Sequence, residues 1–163
     1  MNPLPYRPCV GIVLVNRDGA VFIGRRRKRR GGARMAGYEW QMPQGGIDEG
    51  ESPETAAFRE LYEETSVSDA AIIAEAPEWL RYDLPLDAPA KRWQGRYRGQ
   101  TQKWFLMRFR GEDSEIDIRT PGGKHEAEFD AWRWERLEAL PALVVPFKRP
   151  VYEAVVTAFT GKF

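Results

Sequence analysis

Apolar residues fall along this chain in short blocks whose period changes from one block to the next. Cys9 to Val15 is a continuous apolar run rich in β-branched residues, Asn16-Arg17-Asp18-Gly19 is turn chemistry, and Ala20 to Gly24 is apolar again. Two such runs around a turn predict a β-hairpin. Arg25 to Gly37 is polar and contains Gly31-Gly32, which predicts an exposed loop. Tyr38 to Met42 reads as a short strand that stops at Pro43. Ala70 to Ala74, Glu78 to Leu84, Gln102 to Arg110 and Phe129 to Trp134 read as further strands, and the Pro-rich, basic span Pro85 to Thr101 as a loop.

Two segments carry helix signals. Ser52 is a good N-cap and Pro53 suits the first helical position, so a helix is predicted from Pro53 to about Thr65. Phe58, Leu61 and Tyr62 are expected to face the core, with Ala56 and Ala57 flanking the glutamates and leaving room for a ligand. After Pro150, residues Val151, Ala154, Val155 and Ala158 keep helical spacing and predict a C-terminal helix. Strands mixed with a central and a terminal helix form an α+β pattern or an α/β sandwich. The spacing does not choose a topology.

Composition narrows the picture. The chain has 163 residues, 42% of them apolar, which suits one domain spanning residues 1–163 with a real core. Its one cysteine, Cys9, rules out an internal disulfide framework and is expected to be a buried strand thiol. No apolar stretch approaches the length of a membrane span, and the first residues lack a signal-peptide pattern, so no membrane partner is expected and a cytoplasmic location is. There is no Cys/His cluster for zinc and no Walker-type phosphate loop. His125, the single histidine, is expected at the surface.

Net charge is only +1, but the signs are segregated. Gly45 to Ser66 holds seven acidic residues and one basic one, whereas Arg25 to Arg34 holds seven basic residues and no acidic one. An acidic patch that collects metal, beside a basic arm, suits a polyanionic substrate. Within the acidic stretch, Glu60, Glu63 and Glu64 project from one side of the predicted helix, and like charges so placed destabilise it unless neutralised. Hard divalent cations such as Mg²⁺ take oxygen ligands and often work on substrate phosphates. The segment therefore reads as a metal site for phosphate chemistry, with Gly45-Gly46 allowing close backbone approach.

The whole stretch, GGIDEGESPETAAFRELYEETSV, resembles the Nudix box: Gly45, five residues, Glu51, seven residues, Arg59-Glu60, Leu61, then Glu63-Glu64 and Val67. Ser66 departs from it, standing where the family has Gly. A Ser there is expected to cost roughly 1 kcal/mol or to end the helix differently. The resemblance extends through YRP at Tyr6, WQMPQGG at Trp40, WLRY at Trp79, QKWF at Gln102, EFDAWRW at Glu128 and PFKR at Pro146. Together these are similar to bacterial RNA pyrophosphohydrolases and the closely similar dinucleoside polyphosphate hydrolases.

That resemblance implies an α/β/α sandwich around a mixed sheet and a pyrophosphohydrolase using Mg²⁺ or Mn²⁺. It implies metal ligation by Glu60, Glu63, Glu64, Glu128 and the Gly45 carbonyl, with the catalytic base among Glu60, Glu64 and Glu128. Glu51 and Arg59 are implied to be structural partners. Arg7 and Lys103 match phosphate-contacting positions, Arg25 and Arg26 lie near another, and Tyr82 and Phe147 match positions near the nucleotide. The implied substrate is a 5′-triphosphorylated RNA end, giving the enzyme a part in RNA decay. A dinucleoside polyphosphate such as diadenosine tetraphosphate is the alternative, a damaged nucleoside triphosphate a third. A catalytically silent RNA-binding module on the same fold would be expected to lack a box glutamate. The basic arm, and a second basic-aromatic span from Lys91-Arg92-Trp93 to Arg96-Tyr97-Arg98, could track a nucleic-acid backbone or be solvated loops.

Overall fold

The computed structural model describes residues 3–28, 37–85 and 95–163. The basic arm beyond Lys28, with Gly31-Gly32, and the Lys91-Arg92-Trp93 part of the second span lie outside them. The elements in chain order are strands β1 (Tyr6–Val15), β2 (Val21–Arg26), β3 (Trp40–Gln41) and β4 (Gln44–Gly46), helix α1 (Pro53–Thr65), strands β5 (Ala70–Glu75), β6 (Leu80–Asp83), β7 (Gly99–Phe109) and β8 (Phe129–Glu135), and helix α2 (Arg149–Phe159).

The predicted hairpin forms, with Val15 opposite Val21 and the Asn16 carboxamide accepting the Asp18 and Ala20 N–H groups. The strand predicted from Tyr38 to Met42 forms only at Trp40–Gln41, as β3, and a strand that was not predicted, β4, follows Pro43. The second of these has no strand propensity of its own and exists because it pairs antiparallel with β1. At the centre β1 runs parallel to β7 from Tyr6↔Gly99 to Val15↔Arg108. The other pairings are antiparallel: β2 with β1, β3 and β8, and β7 with β5 and β6. The sheet is therefore mixed, and each face carries a core. Val10, Ile12, Leu14, Phe105 and Met107 pack with Ala56, Ala57 and Leu61 of α1. Val13, Trp104 and Leu106 pack with Val151, Tyr152, Val155 and Phe159 of α2. This is the α+β sandwich expected from the sequence. Among the described residues no helix is long and apolar enough to cross a membrane.

Helix α1 sits as its caps dictate, with Thr55 N–H donating to the Ser52 hydroxyl and Pro53 in the first turn. Its rotation corrects two expectations. Phe58 and Tyr62 are exposed, and Ala56 and Ala57 are wholly buried. At about 100° per residue, Ala56, Glu60, Glu64, Ala57 and Leu61 share one arc, which is the arc turned to the sheet. The small alanines allow the helix to approach closely enough to carry Glu60 and Glu64 inward with it.

Ser66 ends the helix in the left-handed conformation, φ 69°, alone among the described non-glycine residues. Its hydroxyl donates to the Asp117 carbonyl at 2.9 Å and accepts the Gly122 N–H at 2.8 Å. The serine thus exchanges backbone comfort for two bonds that hold residues 117–122 against α1. We predict that Ser66→Ala lowers unfolding free energy by about 2 kcal/mol, losing both bonds while keeping the strained backbone. Ser66→Gly should stay within about 1 kcal/mol of the wild type because relief of strain offsets the loss. Chemical denaturation of the two variants checks this, and equal stability of Ala and wild type would contradict it.

Candidate active site

Strand β4 lays Gly45 opposite Val10 and Gly46 opposite Cys9. A Cβ at Gly45 would fall on the Glu60 carboxyl, and one at Gly46 on the Arg7 guanidinium. The glycines are what allow a carboxylate and a cation to lie against backbone there. Arg59 then ties loop to helix. Its Nε and Nη2 donate to the two Glu51 carboxylate oxygens at 2.7 and 2.8 Å, and Nη2 also donates to the Gly46 carbonyl at 2.8 Å. The fork geometry makes the Glu51 pair a strong one. Hydrogen bonds from Arg59, and secondly from the Asp48 N–H, hold the Glu51 carboxyl down to about 2. Glu51 and Arg59 are structural partners, as the resemblance implies.

The glutamates stand in an unfavourable setting. Glu64 is buried at 8% exposure and its Oε2 meets no donor, while the Gln44 backbone N–H donates to the carboxylate. Burial above all, then the negative charges of Glu128 and Glu60, drives its carboxyl well above the usual range. Burial also pushes Glu60 up to about 7, against the opposing pull of Arg59. Arg59 Nη1 reaches Glu60 at 2.9 Å and Glu63 at 3.2 Å. Glu128 lies just ahead of β8, positioned where its own carbonyl accepts the Arg27 N–H at 3.0 Å.

Among the described residues no three acidic, cysteine or histidine side chains already converge on one point, and Arg59 holds Glu60 and Glu63 at the helix margin. Even so, an oxygen-only donor set, a buried carboxylate oxygen without a donor and the slot at Gly45 all fit a hard divalent cation. Glu60, Glu64 and Glu128 are the side chains that could hold one, with Glu63 joining on leaving Arg59.

The remaining expected residues divide into two groups. On the α2 face, Arg7, Gln100 and Tyr82 lie in one cross-strand row, and Tyr82 packs on Phe147 with ring centroids 5.5 Å apart. Arg7 is close enough to lower the Glu60 carboxyl. Lys103 stands on the opposite face, in the row Gly45–Val10–Lys103, about 10 Å from Gly45 at ordinary strand spacing. Its ammonium is bound to the Ala76 carbonyl at 2.7 Å and to Glu75 at 3.3 Å. Arg25, expected in a loop, is in β2 and pairs with Asp130 at 2.7 Å; Arg26 ends that strand opposite Phe129.

Lys148 was not singled out by the sequence, yet it is almost fully buried. Its Nζ lies 3.3 Å from the Gln41 carboxamide oxygen and 5.7 Å above the centre of the Tyr82 ring. Its positive charge lowers the Glu64 carboxyl. The signal was its position: Lys148, Val151, Tyr152 and Val155 have the i, i+3, i+4, i+7 spacing of a buried stripe.

The chain is similar to known proteins in sequence and in fold. The model of the NUDIX domain family matches residues 5–155. An RNA pyrophosphohydrolase of Rhodopseudomonas palustris is 58% identical over 159 residues, covering 96% of this chain and 93% of that protein. One of Bradyrhizobium diazoefficiens is 56% identical over 160 residues, covering 97% and 94%. Among solved structures, the E. coli dihydroneopterin triphosphate pyrophosphohydrolase has a TM-score of 0.64 at 21% identity, covering 94% of this chain and 98% of that one. A C. elegans Ap4A hydrolase binary complex has a TM-score of 0.59 at 18% identity, covering 95% and 99%. The chain belongs to the NUDIX domain family, whose hydrolases generally use divalent metals.

The raised carboxyls make a prediction for the metal-free protein. Glu60 binds its proton more tightly folded than unfolded, so its contribution to stability is complete below its ordinary value of 4.5 and is lost as pH rises through about 7. Glu64 acts in the same direction. In chelator, stability should therefore fall between about pH 5 and about pH 8, by on the order of 3 kcal/mol for Glu60 alone. Glu64→Gln should raise the thermal midpoint at the upper pH. Scanning calorimetry checks both, and a midpoint that climbs with pH would contradict the assignment.

Proposed function

We propose that this chain is a divalent-metal-dependent RNA pyrophosphohydrolase that converts a 5′-triphosphate end of RNA to a 5′-monophosphate, releasing pyrophosphate. The observation that carries the chemistry is the half-buried Glu60 against Gly45 with the buried Glu64 one helical turn on, one of whose oxygens has no donor. The substrate follows from nearly full-length relatives, named RNA pyrophosphohydrolase, that are 53–58% identical.

Glu60, Glu63, Glu64, Glu128 and the Gly45 carbonyl would hold the cation, Mg²⁺ or Mn²⁺. When bound, it neutralises phosphate charge and makes water a better nucleophile. Water attacks a phosphorus atom, the phosphoanhydride P–O bond breaks, and the leaving pyrophosphate carries away the electron pair. One glutamate among Glu60, Glu64 and Glu128 takes the water's proton. Arg7, whose charge reaches Glu60, and the buried Lys148, whose charge reaches Glu64, would supply positive charge to the phosphate oxygens. The Tyr82–Phe147 pair offers a platform for the base; such stacking contributes about 1–3 kcal/mol. Arg25 and Arg26 are assigned to outer phosphates. Lys103 joins them only by giving up Glu75 and the Ala76 carbonyl.

Glu63→Gln and Glu64→Gln should each cut turnover by roughly a thousandfold or more while the protein stays folded by circular dichroism. Retained activity in both would remove the metal-site assignment. Turnover of a short 5′-triphosphorylated RNA and of diadenosine tetraphosphate, measured side by side with Mg²⁺ and with Mn²⁺, tests the substrate. A clear preference for the RNA is expected, and a preference for the dinucleotide would overturn that assignment.

A further inference from the structure

We propose that Asp130 is a positioning residue for Glu128: tied to Arg25, it is the extra residue of a β-bulge that turns the Glu128 side chain toward Glu64. That Glu128 serves the metal site rests on the reading above; the bulge itself rests on the register of β2 and β8.

Along β2 and β8 the partners step together from Val21↔Glu135 to Arg25↔Ala131. The next residue of β2, Arg26, meets Phe129. Strand β8 thus takes two steps where β2 takes one, and Asp130 is the additional residue. Such an insertion reverses the side on which every residue beyond it projects. The aromatic rings record the reversal. Phe129, Trp132 and Trp134 all lie against Phe22, with ring centroids 6.1, 5.6 and 6.3 Å away. Strict alternation would put Phe129 and Trp132, three positions apart, on opposite faces. Gly24 makes room for the ring, because a Cβ there would fall on Phe129. With Phe129 turned into this core, Glu128 turns the other way, and its negative charge is felt at the buried Glu64. In an unbroken ladder Glu128 would point to the side where Phe129 now packs.

Burial of Phe129 makes the bulge, and side chains fix its shape. Arg25 Nε donates to Asp130 Oδ1 at 2.7 Å. Beyond the bulge, Arg27 donates its backbone N–H to the Glu128 carbonyl at 3.0 Å and its guanidinium to Glu126 at 2.6 Å. Glu128 therefore sits between a locked bulge and a clip on its own backbone. Both ion pairs are partly exposed and add little stability. Their effect is on direction, since holding the additional residue still holds the next side chain but one on its bearing. The bond to Asp130 uses Nε and leaves the terminal nitrogens of Arg25 for phosphate.

Mn²⁺ titrated calorimetrically into the substrate-free protein tests this, with Glu128→Gln as the reference for losing the ligand. Asp130→Ala and Arg25→Ala should each weaken binding by roughly tenfold. The double variant should be no worse than either single one, because only one bond is lost. Asp130→Asn retains an acceptor for Arg25 and should bind close to wild type. Charge acting through space gives a different pattern: Arg25→Ala removes a positive charge and would tighten a cation, and Asp130→Asn would weaken it as much as Ala does. A role for Arg25 in phosphate contact alone would leave Mn²⁺ binding by Arg25→Ala unchanged. Where Glu128→Gln weakens binding, either of these patterns overturns the proposal and leaves the metal site standing.

Hydrogen exchange supplies a readout that needs no metal. The Arg27 amide, which donates to the Glu128 carbonyl, should exchange faster in both single variants while the β1 amides keep their wild-type rates. Unchanged exchange at Arg27 would overturn the proposal. If Glu128→Gln binds Mn²⁺ like wild type, the metal-site reading loses Glu128, and exchange at Arg27 alone decides the positioning role.

Discussion

Glu64 places an ionisable carboxyl in the seam where helix α1 meets the sheet, and one of its oxygens meets no donor there. Removing such a group from water costs several kcal/mol unless a counter-charge or donors compensate. Much of the local architecture can be understood as the response. Ala56 and Ala57 keep the helix close to the sheet, glycine at 45 leaves space beside Glu60, and Arg59 clamps the glycine loop through Glu51 and the Gly46 carbonyl. Lys148 answers from the α2 side of the sheet, so both cores contribute charge to a single carboxylate. The instability of the empty arrangement and its suitability for a cation are one property.

The sequence made the helix and its N-terminal cap legible because local chemistry, Ser52 and Pro53, sets them, whereas the exit at Ser66 was open between a strained left-handed cap and a different ending until its partners at Asp117 and Gly122 were seen. The box spacing likewise pointed to Glu60, Glu63, Glu64 and Gly45. Helix rotation was not legible. Assigning Phe58 and Tyr62 to the core follows hydrophobicity, whereas the sheet accepts the alanine-glutamate arc that only close approach makes possible. Strand β4 was hidden for another reason, since Gln44-Gly45-Gly46 has no intrinsic preference and takes its form from β1. Lys103 was assigned by position along the chain, but its neighbours across the fold, Glu75 and the Ala76 carbonyl, decide what it touches.

The charged groups also occupy distinct tiers of accessibility. Arg25 and Arg27 meet Asp130 and Glu126 near the surface, where ion pairs contribute little and salt screens them. Arg59, Glu60 and Glu64 interact in a much drier setting, where each charge counts for more. Surface charge therefore governs how a polyanion approaches, and buried charge governs how it is held once it arrives.

The parallel pairing of β1 with β7 has a consequence for how the molecule is made. Tyr6 meets Gly99 and Val15 meets Arg108, so partners are separated by roughly ninety residues of chain. The β2–β8 pairing spans a still longer interval. During synthesis the N-terminal hairpin leaves the ribosome early and waits, with a hydrophobic strand edge open, until the last third of the polypeptide emerges. Contacts so distant in sequence form slowly and leave aggregation-prone edges exposed meanwhile. Maturation of the nascent chain is thus a late, nearly all-at-once event. A ribosome stalled before β7 would release a product with its box helix written in full and no sheet centre to seat it on.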